Sequence, residues 1–176
     1  MANRQALKEL QTRLAERLKL AKTQGIAPSW LAVEAGGQKY LFPLDQSGEI
    51  FPWVGIQPVS YTRAWFLGVA SLRGGLYGVV DLAGFVTGQA PGARNEVART
   101  ELRLVSLNTA LEVNSALLID KLAGLRRQDD FLDYSVRKPD EPLFFGNQYV
   151  DPHGASWQEI NLQILAQQVE FLTVAA

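Results

Sequence analysis

The sequence contains no cysteine, which excludes disulfides, thiol catalysis and cysteine-ligated zinc or iron–sulfur sites. Histidine occurs once, at His153 in an Asp-Pro-His-Gly stretch typical of a turn. The sequence therefore offers one turn histidine to activate a nucleophile and too few histidines for a multi-histidine metal site. We expect no catalytic residues, no metal and no cofactor.

Neither sign of charge is in excess: 17 Lys and Arg face 18 Asp and Glu, and the isoelectric point is near 5.9. This balance argues against nucleic acid or an anionic membrane surface as a partner. Uncharged apolar runs approaching the ~18 residues of a membrane helix are missing, and the charged N-terminus lacks the apolar core of a secretory signal. We expect a cytoplasmic protein without direct membrane insertion.

The 176 residues, 47% of them apolar, suffice for one domain or for two small lobes that share a core. Residues 1–27 are predicted to form an amphipathic helix, for which docking on its own domain is favoured over binding to a partner. Residues 28–176 are predicted to form that domain. The apolar positions of the helix recur at helical spacing: Leu7, Leu10, Leu14, Leu18 and Ala21.

After Pro28 the pattern changes to short strands. The runs SWLAVEA and QKYLFPL, joined by Gly36-Gly37, predict a β-hairpin. EIFPWVGIQPVSYT is typical of an interrupted edge strand and loop, and AWFLGVASL of a short helical turn. GLYGVVDLAGF predicts a strand with internal glycines.

Residues 87–100 lose the apolar pattern and predict a loop between two lobes. Further strands are predicted in ELRLVSLNTALEV and SALLIDKLAGL, with a turn at Asn108-Thr109. A long polar loop follows at residues 126–142, then two strands around the turn at residues 151–154, and a short final helix capped by Asn161. About ten short strands bracketed by two helices favour a small-barrel architecture.

Three groups of residues suggest chemistry, and each has a simpler explanation. His153 with Asp151 is the pair that a small hydrolase would need, but a turn accounts for both residues. The carboxylates of Asp129, Asp130 and Asp133 lie in a polar stretch typical of solvated surface. A platform for single-stranded nucleic acid would need exposed aromatics and interleaved cations, whereas Trp53, Tyr61, Trp65 and Phe66 fit a barrel core better.

GVASLRGG lacks the lysine of a phosphate-binding loop. By elimination, the sequence favours a recognition or scaffold role, with a small barrel binding another protein or single-stranded nucleic acid as the broader alternative.

The central third of the chain carries a more specific signal. VSYTRAWFLGVASLRGGLYGVVDLAGFVTG, residues 59–88, resembles the signature of the CheW-like domain, in which an NLRG box precedes a strand ending in an apolar-Asp-Leu step. The box is here Ser71 to Gly74, and the strand ends at Val80-Asp81-Leu82. The helix at the start and WQEINLQILAQQVEFLTV at the end resemble the PilI-type adaptors of type IV pilus and twitching-motility systems.

This resemblance implies a mainly β, CheW-like fold of two five-stranded SH3-like barrels that share a hydrophobic core. An N-terminal amphipathic helix and a short C-terminal helix flank the barrels. The expected lobes span residues 28–88 and 95–150, followed by a C-terminal strand and helix at 155–174. The implied function is a non-catalytic adaptor between a methyl-accepting chemoreceptor and a CheA-type histidine kinase, recruited to membrane receptor arrays. One barrel end would bind the kinase regulatory domain, and the groove between lobes would bind the receptor's cytoplasmic tip.

The resemblance also implies roles for individual residues. Arg73 is the box arginine, and Glu49 is the glutamate expected to pair with it and fix the turn that presents the receptor-binding surface. Gly74 is expected where the backbone approaches a neighbour closely, and Asp81 where the strand ends at the lobe boundary. The remaining candidates for binding or shaping the site are Tyr61, Arg63, Trp65, Phe66 and Leu72, of which Tyr61 and Arg63 are expected to be the most exposed.

Overall fold

The computed structural model describes residues 8–9, 11–15 and 29–176. Residues 8–9 and 11–15 are helical and exposed, and the remainder of the predicted N-terminal helix lies outside the described residues. Docking of this helix on the domain therefore stays a prediction. None of the helices among the described residues is long and apolar enough to cross a bilayer.

Between residues 29 and 176 the chain forms eleven short strands and four short α-helices. The strands are β1 (Trp30–Ala35), β2 (Gln38–Pro43), β3 (Ser47–Pro52), β4 (Phe66–Leu72), β5 (Gly75–Asp81), β6 (Arg103–Leu107), β7 (Ser115–Ile119), β8 (Lys121–Arg126), β9 (Asp133–Ser135), β10 (Phe145–Val150) and β11 (Ser156–Ile160). The helices are α1 (Leu82–Thr87), α2 (Glu96–Glu101), α3 (Leu162–Leu165) and α4 (Val169–Leu172), with 3₁₀ turns at Thr109–Leu111 and Gln128–Asp130.

The strands form two sheets. The six-stranded sheet has the order β8-β1-β2-β11-β10-β9, and the five-stranded sheet has the order β3-β6-β7-β5-β4. Most neighbours are antiparallel, and the parallel pairs are β2 with β11 and β5 with β7. The mainly β prediction is confirmed, and the two sheets fit the expected pair of small barrels.

The sheet boundaries differ from the predicted lobe boundaries. The five-stranded sheet spans residues 47–119, whereas the six-stranded sheet combines β1 and β2 with every strand from β8 onward. The predicted boundary at residues 88–95 falls inside the five-stranded sheet, because β5 and β7 on either side of it are hydrogen-bonded neighbours.

Several local predictions are confirmed. The β1–β2 hairpin turns at Gly36 and Gly37, whose φ values of 57° and 76° are those of a two-residue hairpin turn, and Ala35 pairs with Gln38. β3 is an edge strand as expected, and β10 and β11 flank the turn at residues 151–154. The Asn161 side chain accepts a hydrogen bond from the Ile164 backbone N–H at 3.0 Å and caps α3.

Other local predictions are wrong. Residues 64–72 contain strand β4 and no helical turn, because Gly68, Ala70 and Leu72 alternate as buried positions and pairing with β5 satisfies the backbone. The strand predicted through Phe85 ends at Asp81, where the side chain caps α1.

Three further segments differ from their predicted structure. The loop at residues 87–100 leads into α2, which Asn95 caps. The polar loop at 126–142 contains β9, and the single C-terminal helix is divided into α3 and α4.

The largest apolar cluster lies between the two sheets. The six-stranded sheet contributes residues such as Val33 and Phe42, the five-stranded sheet contributes Val105 and Leu117, and α3 contributes Leu165. Two smaller clusters use the other faces, one on the five-stranded sheet around Leu104 and Leu118 and one on the six-stranded sheet around Trp30 and Trp157. The predicted shared core is confirmed.

A Leu117→Ala variant tests the shared core. Leu117 is fully buried at the centre of β7, so the cavity should lower the free energy of unfolding by about 3 kcal/mol. Leu76→Ala, which truncates a side chain 64% exposed, should change it by less than about 0.5 kcal/mol. Urea denaturation of both variants measures the difference, and equal losses would contradict the assigned core.

Candidate functional site

The β4–β5 hairpin turns at Arg73 and Gly74. Leu72 pairs with Gly75, and the two residues between them have φ values of 46° and 78°. Positive φ at both central residues is the geometry of a tight type I′ turn. A Cβ on Gly74 would meet nothing within 4 Å. The prediction of a close approach at Gly74 is therefore wrong. Glycine is favoured at this position because it adopts the left-handed backbone conformation without strain.

Arg73 and Glu49 form the expected ion pair. Arg73 Nε lies 3.0 Å from Glu49 Oε2, and Arg73 Nη1 donates to Oε1 at 3.4 Å. Because β3 and β4 are opposite edges of the five-stranded sheet, a contact between the β4–β5 turn and β3 reflects the curling of that sheet. The side chains are 76% and 53% exposed, so solvent screens the pair and its contribution to stability is small.

A groove of about 420 Å³ runs beside this pair. Its walls combine Arg73 and Glu49 with the partly buried rings of Phe51 and Tyr77, and the buried Leu72 belongs to the cluster beneath. Apolar area next to charged groups is the composition that protein-binding surfaces favour. The Arg73 groove, as this surface is called below, brings together three of the predicted site residues.

The other predicted aromatics divide between surface and core. Tyr61 is 91% exposed and Arg63 is also exposed, as expected of binding candidates. The barrel-core interpretation is wrong for Tyr61 and for Trp53, which is 42% exposed. Trp65 and Phe66 pack on the shared core, and the Trp65 ring meets Phe85 edge to face at 4.9 Å. Since these aromatics do not form one exposed platform, the nucleic-acid alternative loses its sequence basis.

The segment that carries Tyr61 is held by the C-terminal tail. The Ala176 backbone N–H donates to the Tyr61 carbonyl at 2.9 Å, and Arg63 Nε donates to the Ala175 carbonyl at 3.1 Å. A second groove of about 560 Å³ lies beside this segment, lined by Arg63, Trp65, Phe85, Val86, Pro142, Leu143, Phe144, Gln168, Val169, Glu170 and Thr173.

Asp81 has a larger role than ending β5. Its carboxylate is almost fully buried, accepts the Gly84 backbone N–H at 2.8 Å, and pairs with Arg94 Nη2 at 2.8 Å. Arg94 Nε also contacts Asp120 Oδ1 at 2.6 Å, and Asp120 Oδ2 accepts the Gly36 backbone N–H at 2.7 Å. The Arg94 clasp, meaning Arg94 with these two aspartates, thus joins the end of β5 to the β1–β2 turn of the other sheet.

Burial disfavours the charged form of the Arg94 guanidinium, but its hydrogen bonds to Asp81 and Asp120, reinforced by their charges, leave its pKa raised. The clasp was missed in the sequence because Arg94 lies in a loop without an apolar pattern. The lone Asp81 in an apolar run was the available signal, since a buried carboxylate needs a cation or several donors.

The geometry around Asp151 and His153 does not support the hydrolase alternative. Asp151 Oδ1 accepts the backbone N–H groups of His153 and Ala155, and Oδ2 accepts the Trp157 indole N–H at 2.9 Å. The pKa of Asp151 is lowered, and the hydrogen bond from the Trp157 indole N–H is the main cause. Both oxygens are therefore engaged in shaping the turn, and the contact with His153 uses its backbone and not its ring.

Asp129, Asp130 and Asp133 are exposed. Within the part of the chain that the structure describes, no group of three or more ligands is placed to hold a metal ion.

Comparison with known proteins assigns the chain to a family. The family model of the CheW-like domain matches residues 29–133, more than half of the chain. Protein PilI of Pseudomonas aeruginosa is 25% identical over 162 residues, which cover 89% of this chain and 86% of that protein. The crystal structure of the scaffolding protein TtCheW from Thermoanaerobacter tengcongensis superposes with a TM-score of 0.59 at 15% identity, covering 76% of this chain and 89% of that chain.

A Gly74→Ala variant tests the conformation of the hairpin turn. The added methyl group has space, so the cost arises from the left-handed backbone and should be about 1 kcal/mol of unfolding free energy. Gly92 has equal space without a positive φ, and Gly92→Ala should be neutral or slightly stabilising. Chemical denaturation of the two variants measures the difference, and a neutral Gly74→Ala would contradict the turn assignment.

An Arg94→Met variant tests the clasp. Removing the guanidinium leaves the buried Asp81 carboxylate without its cation, so we expect a loss of about 3–5 kcal/mol of unfolding free energy. The exposed Arg99→Met on α2 is the control and should change stability by less than about 0.5 kcal/mol. Thermal and urea unfolding report both values, and similar small losses would show that the clasp contributes little.

Proposed function

This chain belongs to the CheW-like family, and from that premise we propose that it couples a chemoreceptor to a CheA-type histidine kinase in a system controlling type IV pili and twitching motility. Proteins of this family are non-catalytic adaptors of chemotaxis-type signalling. The observation that carries the proposal is the Arg73–Glu49 pair, which is exposed on a hairpin where it adds little to stability.

The Arg73 groove supports a binding role for that pair. The type I′ turn fixes the backbone at Arg73, and Glu49 holds its guanidinium from across the curled sheet. A side chain restrained before binding loses less conformational entropy when a partner orders it. In this proposal the pair presents the surface that the cytoplasmic tip of the receptor contacts.

An adaptor with two partners must hold two surfaces in a fixed relative orientation. The shared core and the Arg94 clasp both join the two sheets, so surfaces on different sheets are coupled to one rigid framework. We propose that the receptor contacts the Arg73 groove, which lies on the five-stranded sheet, while the end of one sheet contacts the kinase regulatory domain. Exposed Tyr61 and Arg63 are further candidate contact residues, since tyrosine and arginine are enriched in binding hot spots.

The link to type IV pili is supported by similarity to PilI of Pseudomonas aeruginosa, which extends over most of both chains. Through its proposed partners, the protein would act in the cytoplasm and be recruited to membrane-bound receptor arrays. No nucleic acid is part of the proposal.

An Arg73→Ala variant tests the role of the pair. Truncating a hot-spot arginine costs about 2 kcal/mol of binding free energy, so the dissociation constant for the receptor's cytoplasmic tip should rise roughly thirty-fold. Because the pair is exposed, unfolding free energy should fall by less than about 1 kcal/mol. Isothermal titration calorimetry and urea denaturation measure the two effects.

The control is Arg99→Ala, which removes an exposed arginine outside the Arg73 groove and should leave receptor binding unchanged. Binding and stability that fall in parallel for Arg73→Ala would make Arg73 a structural residue. Unchanged binding would remove the Arg73 groove from the receptor interface.

A further inference from the structure

The outer edge of the six-stranded sheet is an apolar strand edge open to solvent. β9 is the last strand in the order and pairs with β10 on one side, and no strand in residues 29–176 pairs with its other side. Tyr134 within β9 is 56% exposed, and Leu132 and Val136, which flank the strand, are 74% and 70% exposed. The Tyr134 backbone N–H donates to the neighbouring Asp133 Oδ1 at 2.8 Å, so a partner strand would take the place of that carboxylate. An edge strand with exposed apolar side chains is a template for pairing with another strand.

The Tyr134 side chain extends an apolar face that is already buried. Tyr134 lies opposite Tyr149 with ring centroids 6.0 Å apart, and Tyr149 lies opposite Trp157 on β11. Residues directly opposite in an antiparallel pair share a face of the sheet. The Tyr134 side chain is thus continuous with the aromatic cluster around Trp30 and Trp157, and a strand added at β9 would extend that cluster.

The charges in and beside β9 complement a second copy of the same strand. If two copies run antiparallel with Ser135 opposite Ser135, Asp133 of each copy lies opposite Arg137 of the other, and Tyr134 lies opposite Val136. Two-fold symmetry repeats both matches. Moving the centre to Asp133 would place two carboxylates opposite each other, and centring on Tyr134 would leave Asp133 opposite Ser135, so the Ser135 register is the one of these three that pairs opposite charges.

We propose that two copies of this chain pair through β9, antiparallel and centred on Ser135, and join their six-stranded sheets into one. This self-pairing uses a different edge from the Arg73 groove and does not depend on the proposed receptor and kinase partners. Because β9 spans only Asp133–Ser135 and Pro139 follows soon after, the pairing region is short and the association weak.

Because the chain contains no cysteine, a single introduced cysteine can be used to cross-link two copies through a disulfide. In Ser135→Cys the two thiols of a centred pair face each other at a Cα separation of about 5 Å, within the range that a disulfide spans. Mild oxidation should convert this variant to a covalent dimer of twice 19.4 kDa on non-reducing gels. Ser60→Cys, which places a thiol on an exposed loop, is the control and should cross-link at least tenfold more slowly.

Charge exchange tests the register in the Ser135→Cys background. Asp133→Arg alone places two arginines opposite each other, and Arg137→Asp alone places two aspartates opposite each other, so each variant by itself should cross-link several-fold more slowly. Mixing the two variants gives a heterodimer in which both cross-strand pairs carry opposite charges, so cross-linking should recover the original rate. Arg137 Nη1 also donates to the carbonyls of Lys138 and Glu141, so Arg137→Asp removes two bonds of this loop. Asp133→Arg keeps both bonds, and its slower cross-linking therefore reports the charge pair without a change in the loop.

Cross-linking no faster at position 135 than at position 60 would overturn the proposal. Equal rates for the separate and mixed charge variants would overturn the register. A monomer in which the thiol introduced by Ser135→Cys resists alkylation would show that another part of the same chain covers β9, and this result would also overturn pairing with a second copy.

Discussion

Burial of one apolar face of each sheet against the other is the interaction on which the rest of the structure depends. Alternation along β7 places Leu117 and Ile119 in the core between the sheets and Leu118 in a separate cluster on the opposite face. Each sheet therefore packs on both faces. The large cluster lies between the sheets, and each small cluster lies on the outer face of one sheet. A chain of this length gains from such sharing, because two isolated barrels would each bury less surface.

The Arg94 clasp and the tight hairpins act at the rim of this core. Arg94 fixes the end of β5 relative to the β1–β2 turn, while the turn at Arg73 and Gly74 projects an ion pair into solvent. The buried Asp81 carboxylate has its cation within the fold, whereas the Arg73–Glu49 pair is accessible from solvent. An adaptor requires this division, since its contacts must remain available while its framework stays rigid.

Sequence patterns that depend on neighbouring residues predicted much of this arrangement. Gly36-Gly37 marked a hairpin, Asn161 marked a helix start, and the box around Arg73 indicated the family and its pairing with Glu49. Contacts distant in sequence were beyond local patterns: Asp81 finds its cation at Arg94 and, through Arg94, meets Asp120. β4 resembles a helical turn in sequence because most of its residues are apolar, so the alternation of buried positions seen in the structure is not visible in the residue types.

The central claim is that this chain bridges a receptor and a kinase. Sedimentation of receptor tips held on vesicles, with the kinase regulatory domain in solution, tests that claim most directly. The regulatory domain should co-sediment in proportion to added chain and remain in solution without it. Co-sedimentation that is unchanged by the chain, or a chain that binds each partner only when the other is absent, would contradict the bridging role.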